Sequence, residues 1–150
     1  MTEIEAAYPP ADFAFHHIGY ATRSLRQEEP YFNVLGYRRE GEAFSDPIQG
    51  VAGCFLSGAG PRIELLENLP GSTTLDAWLN AGIKLYHMAY EVANIEAAVS
   101  WARQQRGKVT VPPVPAAAFE GRLISFVVLR NGGLIEFIER HPPSTTVSMT

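Results

Sequence analysis

The chain has 150 residues, 46% of them hydrophobic and 19% charged, which is the size and composition of one globular domain. A formal net charge of −4 argues against nucleic acid as a partner, and the single cysteine, Cys54, excludes an internal disulfide and a thiolate metal cluster. No apolar run reaches the ~20 residues that span a bilayer, and residues 1–12 lack signal-peptide chemistry, so the sequence predicts a cytoplasmic protein without a membrane segment.

The hydrophobic pattern predicts two similar units between a flexible lead-in, 1–12, and a surface tail, 141–150. Each unit has a strand, a helix and three more strands, and a connector with a short helix joins the units. Pro30 predicts that the first helix begins late or is kinked. The boundaries are 13–70 for the first module, 71–83 for the connector and 84–140 for the second module. The predicted strands are 13–22, 37–42, 50–57, 62–67, 84–92, 108–111, 123–129 and 134–139. The sequence therefore predicts an α+β fold, a single domain over 13–140 built from two βαβββ modules.

Four polar side chains repeat with the modules. His17 and His87 lie on the first strand of each module, about 70 positions apart, and Glu64 and Glu136 lie on the last strands. A carboxylate between apolar neighbours is costly to bury unless a cation or an imidazole lies beside it. Two imidazoles and two carboxylates suit a divalent ion such as zinc, nickel, cobalt, manganese or iron. We therefore predict one metal site formed by both modules.

Strand alternation places His17 and Gly19 on one face of the first strand and His16 on the other. His16 competes with His17 for the ligand role, but alignment of the modules sets His17 opposite His87 and leaves His16 opposite Tyr86. Glu67 and Glu139 also repeat, and we assign them to solvent.

The proline-rich loop over 112–122 is present only in the second module. Phe119 and Arg122 lie at its end, where they could close over a substrate, with the guanidinium binding a carboxylate or phosphate. The alternative is an ordered surface loop with a solvated arginine.

These residues resemble the vicinal oxygen chelate superfamily, which includes glyoxalase, bleomycin-resistance and dioxygenase members. His17 to Ala21, Gln49-Gly50-Val51, Leu75 to Leu79 and Tyr86 to Ala89 are most similar to methylmalonyl-CoA epimerases. The resemblance implies a cupped mixed sheet of paired βαβββ modules and a metal held by residues matching the four predicted ligands. It also implies a homodimer and a small-molecule substrate, such as an acyl thioester.

One position departs from the epimerase pattern. The family has a second catalytic glutamate two residues after the Gln-Gly-Val stretch, where this chain has Gly53. A two-base epimerisation would lose one base at this position. Lactoylglutathione lyase has a similar His, Glu, His, Glu ligand set, although no full glutathione-binding pattern is recognisable here.

The resemblance implies an isomerase or lyase that moves a proton next to a carbonyl. Glu136 is the predicted base, because the corresponding glutamate of glyoxalase-like enzymes can leave the metal. One alternative is a non-catalytic binding or resistance protein of the same fold. Another is an iron(II) dioxygenase, although the triad of that class has a histidine where the first module supplies Glu64.

Overall fold

The computed structural model of the protein describes residue 9 and residues 12–140, so the predicted tail and most of the predicted lead-in lie outside the described residues. Within these residues the chain forms nine β-strands, three α-helices and one 3-10 turn. The strands are β1 (Ala14–Ala21), β2 (Arg38–Arg39), β3 (Phe44–Asp46), β4 (Val51–Ser57), β5 (Ile63–Asn68), β6 (Leu85–Val92), β7 (Lys108–Pro115), β8 (Leu123–Val128) and β9 (Leu134–Glu139). The helices are α1 (Leu25–Val34), α2 (Asp76–Asn80) and α3 (Ile95–Gln104), and the 3-10 turn is Ala117–Phe119.

All nine strands form one mixed sheet in the order β2-β4-β5-β1-β6-β9-β8-β7, with β3 paired to β4. β1 pairs in parallel with β5, and β6 pairs in parallel with β9, while β1 and β6 pair antiparallel at the centre. The two halves thus have the same strand order from centre to edge. Residues of both halves line one cavity, so the sheet is curved into a cup. The predicted fold of two βαβββ modules is confirmed, and β3 is an addition that the pattern did not predict.

The helices α1 and α3 cover the outer face of this sheet. The buried face of α3 consists of Ile95, Ala98, Val99 and Ala102. It packs on Phe137 of β9, while Leu25 of α1 belongs to a cluster with Leu65 of β5. Successive side chains of a strand point to opposite faces, so Glu64 and Glu136, which adjoin Leu65 and Phe137, point into the cup.

Helix α1 begins at Leu25, directly after its cap Ser24, and Pro30 does not delay its start. The side chain of Ser24 accepts the backbone N–H of Gln27, and the carboxylate of Glu67 accepts the N–H of Leu25 at 2.9 Å. These two acceptors satisfy donors that a helix N-terminus leaves unpaired. The helix continues through Pro30, which removes only one internal hydrogen bond, so the prediction of a late start is wrong. The assignment of Glu67 to solvent is also wrong, because it caps α1.

The predicted proline-rich loop is partly a strand. β7 extends to Pro115 instead of ending at Val111, and it is the last strand of the sheet beside β8. Proline is tolerated on an edge strand because the N–H that it lacks would not be needed by a neighbour. The pairing shifts register between Val109 and Val111 and again between Val111 and Val114, which accommodates these residues.

The thiol of Cys54 is fully buried in the cluster beneath α1. Burial raises the pKa of this thiol, so it remains a small apolar side chain. Across the part of the chain that the structure describes, no helix is long and apolar enough to cross a membrane.

Candidate metal centre

Two irregularities in the central strand pair aim side chains into the cup. In the register of β1 with β6, Phe15 pairs with Tyr90 and His17 with Ala89, so His16 is an extra residue on β1. Two pairs further on, Gly19 pairs with His87 and Tyr20 with Leu85, so Tyr86 is an extra residue on β6. A bulge breaks the alternation of a strand and re-aims the side chains beside it. Each bulge residue directly precedes a predicted ligand.

His16 consequently does not lie on the face opposite His17. Its Nδ1 is 2.8 Å from Nδ1 of His17, and its ring makes edge contacts with Phe55 and Phe119 inside the cup. The prediction from strict alternation is wrong for His16, because the bulge turns it to the same side as its neighbour.

The register of the outer pairs brings the two glutamates to the same point. Glu64 of β5 pairs with Gly19, which in turn pairs with His87. Glu136 of β9 pairs with Ala89, which in turn pairs with His17. In both halves, the predicted glutamate ligand thus pairs with the small residue that also pairs with the histidine of the other half. All four ligand atoms lie within 4.8 Å of one another.

The imidazole nitrogens and carboxylate oxygens of the four residues lie close together. Nε2 of His17 is 3.3 Å from Oε1 of Glu64 and 3.2 Å from Oε1 of Glu136. Nε2 of His87 is 3.5 Å and 3.4 Å from the same two oxygens, and the two Nε2 atoms are 3.1 Å apart. None of the four residues is more than 4% exposed. Oε1 of Glu136 is buried without a hydrogen bond. Two nitrogens and two oxygens that converge in this way fit a divalent cation.

The carboxylates govern the protonation of the two imidazoles. Burial lowers the pKa of His17, but Glu64 and Glu136 outweigh it and raise the pKa to about 9. The same two carboxylates raise the pKa of His87 against its burial. Burial raises the pKa of Glu64, but His17 and His87 outweigh it and lower the pKa below its ordinary value. The two imidazoles and the carboxylate of Glu64 thus stabilise each other's charged forms, and a cation must displace the imidazole protons to bind.

Gly19 makes room for the ring of His87, a role that the sequence analysis missed. A Cβ on Gly19 would lie 2.0 Å from Cε1 and 2.2 Å from Nδ1 of that ring. No real carbon approaches so closely, so any side chain at this position displaces the imidazole. The signal in the sequence is the difference between Gly19 and its repeat partner Ala89.

An apolar cavity of about 200 Å³ opens over Glu64 and Glu136. Its other lining residues are Phe44, Asp46, Gln49, Val51, Leu66, Thr74, Trp78, Tyr86, Thr110, Val111, Ala116, Ala118, Phe119, Ile124, Phe126, Val128 and Leu134. Asp46 accepts from the backbone N–H groups of Ile48, Gln49 and Ala117, so both oxygens of its carboxylate already accept hydrogen bonds. None of the described residues that line this cavity carries a positive charge, so it suits an uncharged, largely apolar group.

The two predicted substrate-binding residues are placed differently. Phe119 is 4% exposed, lines the cavity and stacks on the ring of His17 with centroids 6.0 Å apart. Arg122 does not line the cavity. Its guanidinium donates to Glu91 at 3.1 Å and lies 5.5 Å from the centre of the Phe119 ring. The structure therefore places Phe119 in the cavity wall. Arg122 is paired with Glu91 and does not line the cavity.

The position of Gly53 leaves no space for a side chain. A Cβ there would lie 2.6 Å from the backbone oxygen of Leu65 and 2.8 Å from Cζ of Phe44. A glutamate at Gly53 would require both β5 and the Phe44 ring to move. The aromatic ring occupies this side of the cavity instead of a second carboxylate.

The comparisons with known proteins agree with this fold. The family model of the glyoxalase/bleomycin resistance protein/dioxygenase superfamily matches residues 16–126, and the chain belongs to this superfamily. No curated protein matches the chain. Among solved structures, a hypothetical protein from Bacillus halodurans C-125 is 29% identical, with a TM-score of 0.73, over 87% of this chain and 96% of that one.

Two epimerase structures share the same architecture. Methylmalonyl-CoA epimerase from Mycobacterium tuberculosis is 21% identical, with a TM-score of 0.71, over 92% of this chain and 96% of that one. A methylmalonyl-CoA epimerase in complex with methylmalonyl-CoA and NH4+ is 22% identical, with a TM-score of 0.68, over 86% of this chain and 95% of that one. Identity at this level shows a common fold, which is the glyoxalase-like cupped sheet.

Proposed function

We propose that the protein is a metal-dependent enzyme that moves a proton next to a carbonyl group. The observation that carries this proposal is the convergence of His17, Glu64, His87 and Glu136 beside an apolar cavity. When bound, a divalent cation held by these residues would supply Lewis-acid polarisation of a carbonyl oxygen, which would make the neighbouring proton easier to remove. The chain itself supplies the ligands, the base and a water-excluding cavity.

Glu136 is the proposed base. It lines the cavity, so a proton on a bound substrate would lie within its reach, and its buried Oε1 accepts no hydrogen bond. The imidazoles of His17 and His87 lie 3.2 Å and 3.4 Å from the same oxygen and keep the carboxylate oriented. Asp46 is the only carboxylate outside the metal cluster among the described residues that line the cavity. It already accepts hydrogen bonds from three backbone N–H groups. We therefore infer a single-carboxylate proton transfer, as an isomerase or lyase would use.

The cavity narrows the substrate class. Its aromatic and aliphatic lining suits a small acyl group, while the absence of positive lining among the described residues leaves no partner there for a phosphate. Methylmalonyl-CoA epimerases of this fold bind methylmalonyl-CoA and 2-nitronate-propionyl-CoA in their complexes. We infer for this chain a small carbonyl substrate of which the acyl end enters the cavity, with an acyl thioester as one such substrate.

The test of this function is metal-dependent exchange of a substrate proton. Zinc-, cobalt- or nickel-loaded protein is incubated in D2O with methylmalonyl-CoA and, separately, with the glutathione adduct of methylglyoxal, and deuterium incorporation is followed by mass spectrometry. We expect incorporation with one of these probes only when metal is present. Glu136→Gln should reduce it by about 10²- to 10⁴-fold, the usual contribution of a positioned base.

Glu139→Gln is the matched control, since it makes the same change three residues along β9 and outside the cavity lining. It should leave exchange unchanged. Exchange at the wild-type rate in metal-loaded Glu136→Gln would remove Glu136 from the role. Tight retention of a small molecule by protein that binds no metal would identify a binding protein instead of an enzyme.

A further inference from the structure

We propose that His16 is a positioning residue for the cation, because it accepts the Nδ1 proton of His17 and so holds the Nε2 lone pair of His17 toward the metal. This inference rests on the metal site of the proposed function. His16 is thus a fifth residue of the site, which supports the four predicted ligands but does not itself bind the cation.

The contact between the imidazoles of His16 and His17 depends on which ring nitrogens carry the protons. The Nδ1 atoms of His16 and His17 are 2.8 Å apart, a distance at which one must donate and the other accept. Nε2 of His17 belongs to the cluster of ligand atoms. If Nε2 binds a cation, the ring proton of His17 must be on Nδ1. His17 is then the donor and His16 the acceptor.

The position of His16 is itself well determined. It is the extra residue of the β1 bulge, and its ring is held by edge contacts with Phe55 and Phe119. Its backbone oxygen accepts from the guanidinium of Arg62 at 3.2 Å, and the same guanidinium pairs with Glu40 at 2.8 Å. A partner fixed in this way can orient a ligand ring, which is what such outer contacts do in metal sites.

The second imidazole has no comparable partner. Nδ1 of His87 is buried without a hydrogen bond, and the bulge residue before it, Tyr86, contacts its ring edge-on with centroids 4.5 Å apart. The ring of His87 is held by its close approach to Gly19 instead. The two histidines therefore differ in how they are held, although their modules repeat. Loss of His16 should affect one ligand and leave the other unchanged.

The test compares two substitutions at one position. His16→Leu fills the space but leaves the buried Nδ1–H of His17 without an acceptor, and we expect zinc affinity to fall by about 10- to 100-fold. His16→Asn places a carbonyl oxygen near the position of Nδ1 and should restore most of the lost affinity. Zinc affinity is measured by competition with a chromophoric chelator, with circular dichroism confirming the fold. Glu139→Gln, which changes a residue outside the cluster and the cavity lining, should leave zinc affinity unchanged.

A second measurement does not depend on any variant. In the zinc-loaded wild-type protein, long-range proton–nitrogen correlation spectra should show His17 protonated at Nδ1 and His16 protonated at Nε2. The opposite tautomer of His16, or wild-type zinc affinity in folded His16→Leu, would overturn the inference and leave the metal site intact. Failure of the wild-type protein to bind stoichiometric zinc, cobalt or nickel would overturn the proposed function and this inference together.

Discussion

Gly19 and Ala89 occupy equivalent places in the two modules, yet only Ala89 carries a Cβ. The ring of His87 lies against the bare backbone of Gly19, at a distance where a methyl group would overlap it. His17, by contrast, tolerates the methyl group of Ala89 in the paired position. At the scale of single residues, the cluster thus depends on the missing side chain of Gly19 as much as on the four side chains that converge.

Gly19→Ala should therefore damage the metal site more than the fold. The added Cβ pushes the buried imidazole of His87 from the cluster, while alanine suits an extended strand better than glycine does. We expect at least a 10-fold loss of zinc affinity in a chelator competition, with a cooperative thermal transition retained. Ala89→Gly is the control, because it removes a methyl group at the equivalent place and should retain zinc. Normal zinc affinity in Gly19→Ala would show that His87 does not contribute to the site.

At the scale of elements, β3 and the 3-10 turn join the two modules across the cavity. Asp46 of β3 is 3% exposed, and its carboxylate accepts from Ile48 and Gln49 in its own turn and from Ala117 in the other module. One carboxylate thus holds the wall of the cavity from both sides.

Asp46→Ala leaves these three backbone donors without their acceptor. We expect a loss of about 1–3 kcal/mol in the free energy of unfolding, measured by urea denaturation of the metal-free protein. Glu42→Ala, at an exposed position before β3, should change the stability little. A loss of stability equal to that of the control would mean that water replaces the carboxylate in full.

The sequence could predict that His17, Glu64, His87 and Glu136 converge, because strand side chains alternate and because the modules repeat. It could not predict the two bulges, since one extra residue changes the register without altering the composition around His16 and Tyr86. Nor could it predict the cavity wall, where Phe44, Trp78 and Phe126 come from separate elements. Their proximity depends on which strands pair, and the hydrophobic pattern of one sequence does not specify the pairing of distant strands.

At the scale of the whole molecule, the buried cluster links stability to pH. The pKa of His17 is raised to about 9 by Glu64 and Glu136 against its burial, and that of His87 is also raised. A group with a raised folded-state pKa contributes its full stabilisation below its ordinary value, 6.5, and loses it as pH rises through the folded pKa. The pKa of His16 shifts in the opposite direction, because burial and His17 lower it to about 4. Its contribution therefore weakens the fold as pH falls below 6.5.

We expect the metal-free protein to be most stable near pH 6.5 and its melting temperature to fall as pH rises toward 9. Zinc replaces the imidazole protons, and this exchange becomes easier as pH rises. The melting temperature of the zinc-saturated protein should therefore not fall between pH 6.5 and 9. Differential scanning calorimetry of both forms across this range makes the comparison. A flat profile for the metal-free protein would contradict the assigned protonation of the cluster.

The predicted homodimer stays a prediction. Exposed apolar side chains on the two central strands, Phe15, Leu85 and Met88, offer a surface on which a second copy could pack.

The pairing of β1 with β6 places the four converging side chains on the seam between the two halves, one imidazole and one carboxylate from each. Neither half alone carries the complete set, so the cluster exists only where both halves fold against each other. The two contributions are not identical, because His16 stands where the second module has Tyr86, and Gly19 stands where it has Ala89. The groups that flank the cluster therefore differ between its two sides, and its surroundings lack the symmetry of its four side chains.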